Sequence, residues 1–395
     1  MAGVYVHRIW QAAPDPYAPP RYRRACGYDA FIPEPVVGLS VNLSGEVAGV
    51  VSEAEKGIAD LNHEAGSELM PLARLLLRTE SIASSKVEGM QLDARRLARA
   101  AANQETGRTD GPEAGEILAN IDAMQLSIKR ATNVGGLTPV DLQDIHRVLL
   151  ERASNPRIAG QLRDTQNWIG GNDYNPCQAA FVPPPPDEVD RLLVDLCQFV
   201  NGDALPPLVQ AAIAHAQFET IHPFLDGNGR TGRALIQVVL RRRGLAPEFV
   251  PPISVVLAAH KDRYLRGLTA FRADRLAEWV EQFAAATNQA AQIARRYVGR
   301  VNGLQDRWRE QLGVAGAPRA DAAAWSLISV LPAHPIITIA VAVAATGRTR
   351  PAVANAVREL EGAGVLVPLR ASARNRSWEA SGLLDLIVEL EAGAA

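Results

Sequence analysis

The chain has 395 residues, with 41 Lys and Arg against 43 Asp and Glu, for a formal net charge of −2. That length suits two or three domains with a sizeable core, and 47% apolar with 21% charged residues excludes wholesale disorder. The near-neutral balance removes a whole-chain basic excess that would point to nucleic acid, so basic patches must be sought locally. Cys26, Cys177 and Cys197 are odd in number, far apart and without zinc spacing. No disulfide framework is therefore expected, and a reducing compartment is. The first eight residues hold no apolar signal core, and no run of 18 apolar residues occurs. The expectation is a soluble, cytoplasmic, multi-domain protein with no membrane partner.

In chain order, residues 1–40 carry prolines and aromatics without clear periodicity and are expected to form an irregular arm. Roughly one residue in six is Ala and β-branched runs are few, so the chain should be mainly α. Helical spacing runs from 45 to 65 and from 70 to 101, with Leu72, Leu75, Leu76, Thr79, Ile82, Ala83 and Val87 along one face. A polar loop from Asn103 to Pro112 separates these from a helix over 113–131. Thr138-Pro139-Val140-Asp141 marks the start of another, to about 152. Two short strands, 167–171 and 180–182, are expected before Pro183, with helices resuming over 187–201 and 207–220. Gly313 to Arg319 has linker composition.

The densest chemistry lies in His222-Pro223-Phe224-Leu225-Asp226-Gly227-Asn228-Gly229-Arg230-Thr231-Gly232-Arg233. This segment joins the helix over 207–220 to one over about 229–243. Gly227 and Gly229 flank Asn228 and leave backbone N–H groups open to a ligand. Arg230 and Arg233 fall in the first turn of a helix, on one face, where the helix dipole disfavours each by ~0.3–1 kcal/mol when exposed. A bound polyanion reverses that sign, because N–H groups, dipole and guanidinium forks all favour phosphate. Asp226 is an oxygen ligand suited to Mg²⁺, and His222 has a side chain suited to removing a proton near neutrality. Gly227, Gly229 and Gly232 formally match a dinucleotide-binding fingerprint, but what precedes them is helix-like and not a buried strand, and no P-loop motif occurs.

These twelve residues resemble the signature of the Fic family, H-P-F-x-[DE]-G-N-G-R-x-x-R, at every defined position. The resemblance implies transfer of AMP from ATP to a Ser, Thr or Tyr hydroxyl of a protein. It implies His222 as the base, Asp226 as the Mg²⁺ ligand, and Gly227, Asn228 and Gly229 around the α-phosphate. Arg230 and Arg233 would hold the outer phosphates. Gly160-Gln161-Leu162-Arg163, Gln166 to Gly171 and Phe181-Val182-Pro183-Pro184 are similar to the family's β-hairpin flap, which holds the target segment by main-chain pairing. Ser84-Ser85-Lys86-Val87-Glu88-Gly89 resembles the family's inhibitory motif. There the glutamate pairs with the second arginine of the signature, here Arg233, and turns ATP away.

Residues 320–380 read as a winged helix-turn-helix: helices near 325–331, 338–347 and 350–360, then a wing over 364–378. Six Arg against two Glu over 348–376 would suit DNA phosphates, although the Ala/Val-rich third helix offers few base-reading side chains.

The expected architecture is mainly α. An N-terminal arm and helices, including the inhibitory helix, span 1–112; a Fic-fold catalytic core with a small β-hairpin flap spans 113–312; a winged helix-turn-helix module spans 313–395. The expected partners are Mg²⁺, ATP and a protein target, for which the chain itself is one candidate. DNA at the C-terminal module and a homodimer, common in the family, are further expectations. The alternative is a DNA-binding transcriptional regulator whose Fic-like domain only senses nucleotide.

Overall fold

The computed structural model describes residues 3–12, 18–64, 70–92, 94–104, 111–316, 318–369 and 376–391. Part of the 103–112 loop and of the expected wing lies outside the described residues. No helix among those described is long and apolar enough to cross a membrane.

The N-terminal segment corrects the irregular arm expected there. Gly3–Trp10 (β1) and Cys26–Pro33 (β2) form an antiparallel pair, in register from Gly3 opposite Pro33 to Trp10 opposite Cys26. Its strands are joined by a Pro-rich segment too long to signal a hairpin, and β1 keeps Val4, Tyr5 and Ile9 exposed, which blurs the alternation. Cys26 of β2 is disulfide-bonded to Cys177, 151 positions away, and Cys197 is buried and free. This corrects the expectation that the cysteines stay unpaired: the fold carries two distant segments to a Cα separation of 6.1 Å.

Helix α1 (Gly45–Glu64) buries Val47, Val51, Ala54, Ile58 and Leu61 at three- and four-residue steps. Helix α2 (Met70–Val87) buries the whole apolar face read from the sequence, Leu72 to Val87. The helical stretch to 101 is broken where Gly89 takes φ +88°, before α3 (Ala94–Gln104). Helices α4 (Pro112–Ala131) and α5 (Pro139–Leu150) follow, the second opened by a capping box between Thr138 and Asp141.

Instead of two strands, the flap segment makes one bridge, Ile169 to Phe181. Gly170 and Gly171 at φ +74° and +83° and a 3₁₀ turn at Pro176–Gln178 bend the chain away from longer pairing. Phe31 N–H of β2 donates to Val182 O at 2.9 Å, so the N-terminal hairpin continues the flap.

Next come α6 (Pro186–Asn201), α7 (Pro207–Ile221), α8 (Asn228–Arg242), α9 (Ile253–Ala259), α10 (Lys261–Arg272) and α11 (Leu276–Gly316). Every residue of α7 from Leu208 to Ile221 is buried, as befits a helix surrounded on all sides. Some of its polar side chains find partners inside: His215 Nε2 lies 2.8 Å from Tyr264 Oη, and Gln217 Nε2 donates to Glu34 O at 3.0 Å. Helix α11 carries straight through Gly313, because Trp308 and Leu312 are buried there.

The C-terminal unit runs α12 (Ala323–Val330), β3 (Ile336–Thr338), α13 (Ile339–Thr346), α14 (Arg350–Gly362), β4 (Leu366–Pro368), β5 (Ser377–Ala380) and α15 (Leu383–Glu391). Its antiparallel sheet has the order β3-β5-β4. One hydrophobic core runs from α1 through α7 and α8 to this unit. Arg95 of α3 ties it down by ion pairs to Glu379 (2.7 Å) and Asp385 (2.6 Å).

Candidate functional site

Helix α7 stops at His222, whose φ of +50° turns the chain into the loop leading to α8. A non-glycine residue in this region is uncommon and persists only where its surroundings fix it. Here Arg163 Nε donates to His222 O at 2.9 Å and Asn167 Nδ2 to the same oxygen at 3.1 Å and to Phe224 O at 2.9 Å. Arg163 Nη2 also reaches Pro184 O at 2.5 Å. The flap therefore grips the backbone of the loop. Among the described residues, no partner meets the buried His222 Nδ1 in good hydrogen-bond geometry. Burial, then the charges of Arg163 and Arg272, push the imidazole down to about 4, so it is neutral at ordinary pH.

Asn228 closes the loop on itself: its Oδ1 accepts Phe224 N–H at 2.9 Å and its Nδ2 donates to Phe224 O at 2.7 Å. Its amide is thus used within the loop. Gly227, at φ +75°, starts α8, and a β-carbon there would lie 3.2 Å from Leu149 and 3.3 Å from His146. His146 Nε2 lies 2.9 Å from Asp226 O and its ring stacks on Phe224 at 3.7 Å, bracing the loop from below.

The first-turn N–H groups of α8 have no intrahelical acceptors. Against this turn lies the carboxylate of Glu88, so close to Gly229 that a β-carbon built there would collide with Glu88 Oε1. Arg233, 1% exposed, donates through Nη2 to Glu88 Oε1 (2.7 Å) and to Ser84 O (2.8 Å), and through Nε to Ser84 Oγ (2.9 Å). Burial pushes the Glu88 carboxyl up, but the charges of Arg233, Arg230 and Lys261 outweigh it and hold it below the usual range. Burial opposes the charge on Arg233, and Glu88, Tyr264 and Glu219 more than restore it. Lys261 Nζ donates to Val87 O at 2.6 Å and pins the end of α2. Arg230, 2% exposed, lies 3.8 Å from Glu116 and 3.9 Å from Asp226, longer than hydrogen bonds.

Asp226 is 67% exposed; its Oδ1 accepts Gly227 N–H at 2.7 Å. One exposed carboxylate beside an anion niche fits Mg²⁺, which takes one or two carboxylates and completes its shell with water and phosphate oxygens. Among the described residues, no group of three or more His, Cys, Asp and Glu forms a cage for a metal.

All the residues singled out in the sequence, from Ser84 and Glu88 to His222 and the 226–233 turn, therefore converge on the start of α8. Sequence reasoning missed Glu219 and Arg272, and placed Arg163 and Asn167 in the flap without their grip on the loop. Arg163 and Asn167 hold the loop through carbonyls, which leave no mark in the sequence. Glu219, pushed up to about 7 by burial against the pull of Arg233, would collide with a β-carbon on Gly232. Arg272 lies 3.8 Å over the Phe181 ring, between flap and His222.

Two family models match the chain: the Fic/DOC family over residues 136–240 and the Fic/DOC family N-terminal region over 49–129. A protein adenylyltransferase fic-1 of Caenorhabditis briggsae is 36% identical over 114 residues, covering 28% of this chain and 20% of that protein. A protein adenylyltransferase Fic of Drosophila grimshawi is 35% identical over 118 residues, covering 29% and 22%. The chain thus spans about a fifth of the length of these curated relatives. Among solved structures, a Fic family protein from Desulfovibrio desulfuricans G20 superposes with a TM-score of 0.52 at 22% identity, over 87% of this chain and 98% of that one. Fic-1 (residues 134–508) from C. elegans gives 0.50 at 22% identity, over 65% and 74%. These structural likenesses show the fold, and the two family models cover both the site and the helix bearing Glu88. By these matches, residues 49–129 and 136–240 of the chain are a Fic/DOC family N-terminal region followed by a Fic domain.

Proposed function

We propose that this protein is a protein adenylyltransferase held in check by its own Glu88. The observation that carries the reading is the Glu88 carboxylate lying against Gly229 and paired with Arg233. A side-chain anion sits where helix N-terminus, glycine backbone and arginine would otherwise receive phosphate. The curated relatives' names, protein adenylyltransferase, support the same chemistry.

In this reading ATP places its phosphates along the first turn of α8, with Arg230 and Arg233 on the outer ones. Gly227 and Gly229 supply close backbone, Asn228 keeps the turn closed, and Asp226 would hold Mg²⁺, which neutralises phosphate charge. A target hydroxyl, presented by the flap, attacks the α-phosphorus. The bond from that phosphorus to the bridging oxygen of the β-phosphate breaks, pyrophosphate leaves, and the hydroxyl proton passes to the neutral His222 imidazole. The protein's share is positioning and charge stabilisation. With Glu88 in place Arg233 is engaged and the outer phosphates lose their partner. Incubation with α-labelled ATP and Mg²⁺ tests this: Glu88→Gly should label itself or a target more strongly than wild type. Equal or weaker labelling removes the claim of autoinhibition.

The C-terminal unit we read as a winged helix, on the order α12–β3–α13–α14–β4–β5 and the sheet order β3-β5-β4. Exposed Arg348, Arg350 and Arg358, on or beside α14, favour a second reading, a DNA-binding regulator whose Fic domain only senses nucleotide. A sensor binds ATP without forming a covalent adduct. A homodimer is part of the proposal and rests on the family resemblance; a cytoplasmic location rests on the sequence alone, and the Cys26–Cys177 disulfide counts against the reducing compartment behind it.

A further inference from the structure

Far from His222, a cleft of about 1080 Å³ opens between the start of α2, the end of α4, the end of α8 and α13. Small-molecule sites occupy about 300–1,000 Å³ and combine apolar walls with a few convergent polar groups. This cleft has both. Leu77, Ile128, Val250, Val341 and Ala344 supply the apolar wall. Arg74, Lys129 and Arg241 bring three cations to it from three different helices. Among the described residues no carboxylate lies within 4.0 Å of any of them. Their neighbours Arg130 and Arg152, by contrast, are paired with Asp144 and Asp122. Glu248 also lines the cleft, which leaves the cations in excess.

A second cavity of about 420 Å³ shares Arg74, Gln125, Ala333 and His334 with the first, so the two adjoin. His334, at their junction, is pushed down to about 4 by burial and by Arg74 and Arg78, which marks the positive field there. Arg74 and Lys129 are exposed and Arg241 half-buried, so water solvates them at rest, and an anion with an apolar body would replace that water with charge-assisted hydrogen bonds while covering the apolar wall.

We infer that this cleft binds a small organic anion, its negative group on Arg74, Lys129 and Arg241 and its apolar body on Leu77, Ile128, Val341 and Ala344. Walls from four helices fit a compact ligand and not a flat macromolecular face. Arg74 and Leu77 belong to α2, which also carries Ser84 and ends at Val87, next to Glu88; Arg74 lies about 20 Å from that end at 1.5 Å per residue. An occupant therefore braces α2 against α8 and α13. That this tightens the hold on Arg233 rests on the autoinhibition proposed above; the binding itself does not.

The test uses 1-naphthyl phosphate, a phosphate monoester on an apolar bicyclic ring, titrated calorimetrically into the full chain without ATP. Binding with one molecule per chain is expected, at least tenfold tighter than inorganic phosphate. It should weaken at least tenfold in Arg74→Ser/Arg241→Ser and in Ala344→Trp, which fills the cleft from an exposed position. Hydrogen exchange across residues 77–87 should slow on saturation. No binding in wild type, affinity equal to that of inorganic phosphate, or unchanged affinity in Ala344→Trp would each overturn the assignment. The last outcome would place the ligand at the start of α8 instead. If the double arginine variant fails to fold, Ala344→Trp decides alone.

Discussion

Glu88 Oε1 and Arg233 Nη2 meet at 2.7 Å across 145 positions of sequence, joining the end of α2 to the first turns of α8. Arg233 is buried while the Glu88 side chain is 40% exposed, so the pair is anchored on one side and open to water on the other. That asymmetry suits a contact that holds at rest and can be released, because solvent can receive the carboxylate but not the guanidinium.

The same asymmetry bounds its strength. Removing one partner of a fully buried pair costs ~3–5 kcal/mol, and exposed pairs contribute up to about 1 kcal/mol. A double-mutant cycle on Glu88→Ala and Arg233→Ala in urea should give a coupling of about 1–2 kcal/mol. Arg233→Ala alone should cost more than Glu88→Ala, since it also strands Ser84. Zero coupling would mean that the two side chains do not pair in solution.

Asn167 tests the grip of the flap on the 222–228 loop. Its amide bridges the carbonyls of His222 and Phe224, sharing the first with Arg163 Nε and the second with Asn228 Nδ2. In the Glu88→Gly background, Asn167→Ala should lower labelling by about ten- to a hundredfold through misplacement of His222, with ATP affinity unchanged. A matching loss of ATP affinity would show that the clamp serves the nucleotide.

Acid should destabilise the fold through buried histidines. His146 and His222 are pushed down to about 4 and His215 to about 3, mainly by burial. The unfolded chain therefore binds more protons below about pH 6.5, and stability falls with pH there. Glu80 and Glu219 are raised to about 7 by burial, so their contribution is lost as pH rises through 7. The two slopes oppose each other between about pH 4.5 and 6.5, and below that range the histidines act without this offset. Melting temperature should peak near pH 6.5 and drop steeply below 4.5. A flat profile from pH 3 to 6 would refute the burial of neutral imidazoles.

The Cys26–Cys177 pair makes the N-terminal hairpin and the flap one unit. Under non-reducing conditions, unfolded protein should show one titratable thiol, Cys197, and three after reduction. A loop of this length predicts a stabilisation of about 4–5 kcal/mol, read as a lower melting temperature in reductant. Three thiols without reductant would show that the pair stays open, as the odd cysteine count had suggested.

What the sequence revealed and what it hid follows from where chemistry is contiguous. The 222–233 segment is legible because one turn and one helix start carry His222, the proposed base, with Asp226 and both arginines. Ser84 and Glu88 are legible because a four-residue step puts them on one helix face. Arg163 and Asn167 were legible as flap residues, but their hold on the loop was not, since a side chain that grips distant carbonyls needs no pattern of its own. The β1–β2 hairpin and its disulfide were hidden because pairing across a Pro-rich connection, and between cysteines 151 apart, is decided by tertiary packing. Gly313 reads as linker yet stays helical, because buried Trp308 and Leu312 hold that end of α11.

The most direct test is the intact mass of wild type, Glu88→Gly and Glu88→Gly/His222→Ala after incubation with Mg²⁺ and ATP. The account predicts little or no adduct on wild type, a gain of one or more AMP groups on Glu88→Gly, and none when His222 is also removed. Unmodified Glu88→Gly that still binds ATP and transfers no AMP to a protein target, or AMP transfer that survives loss of His222, would contradict it.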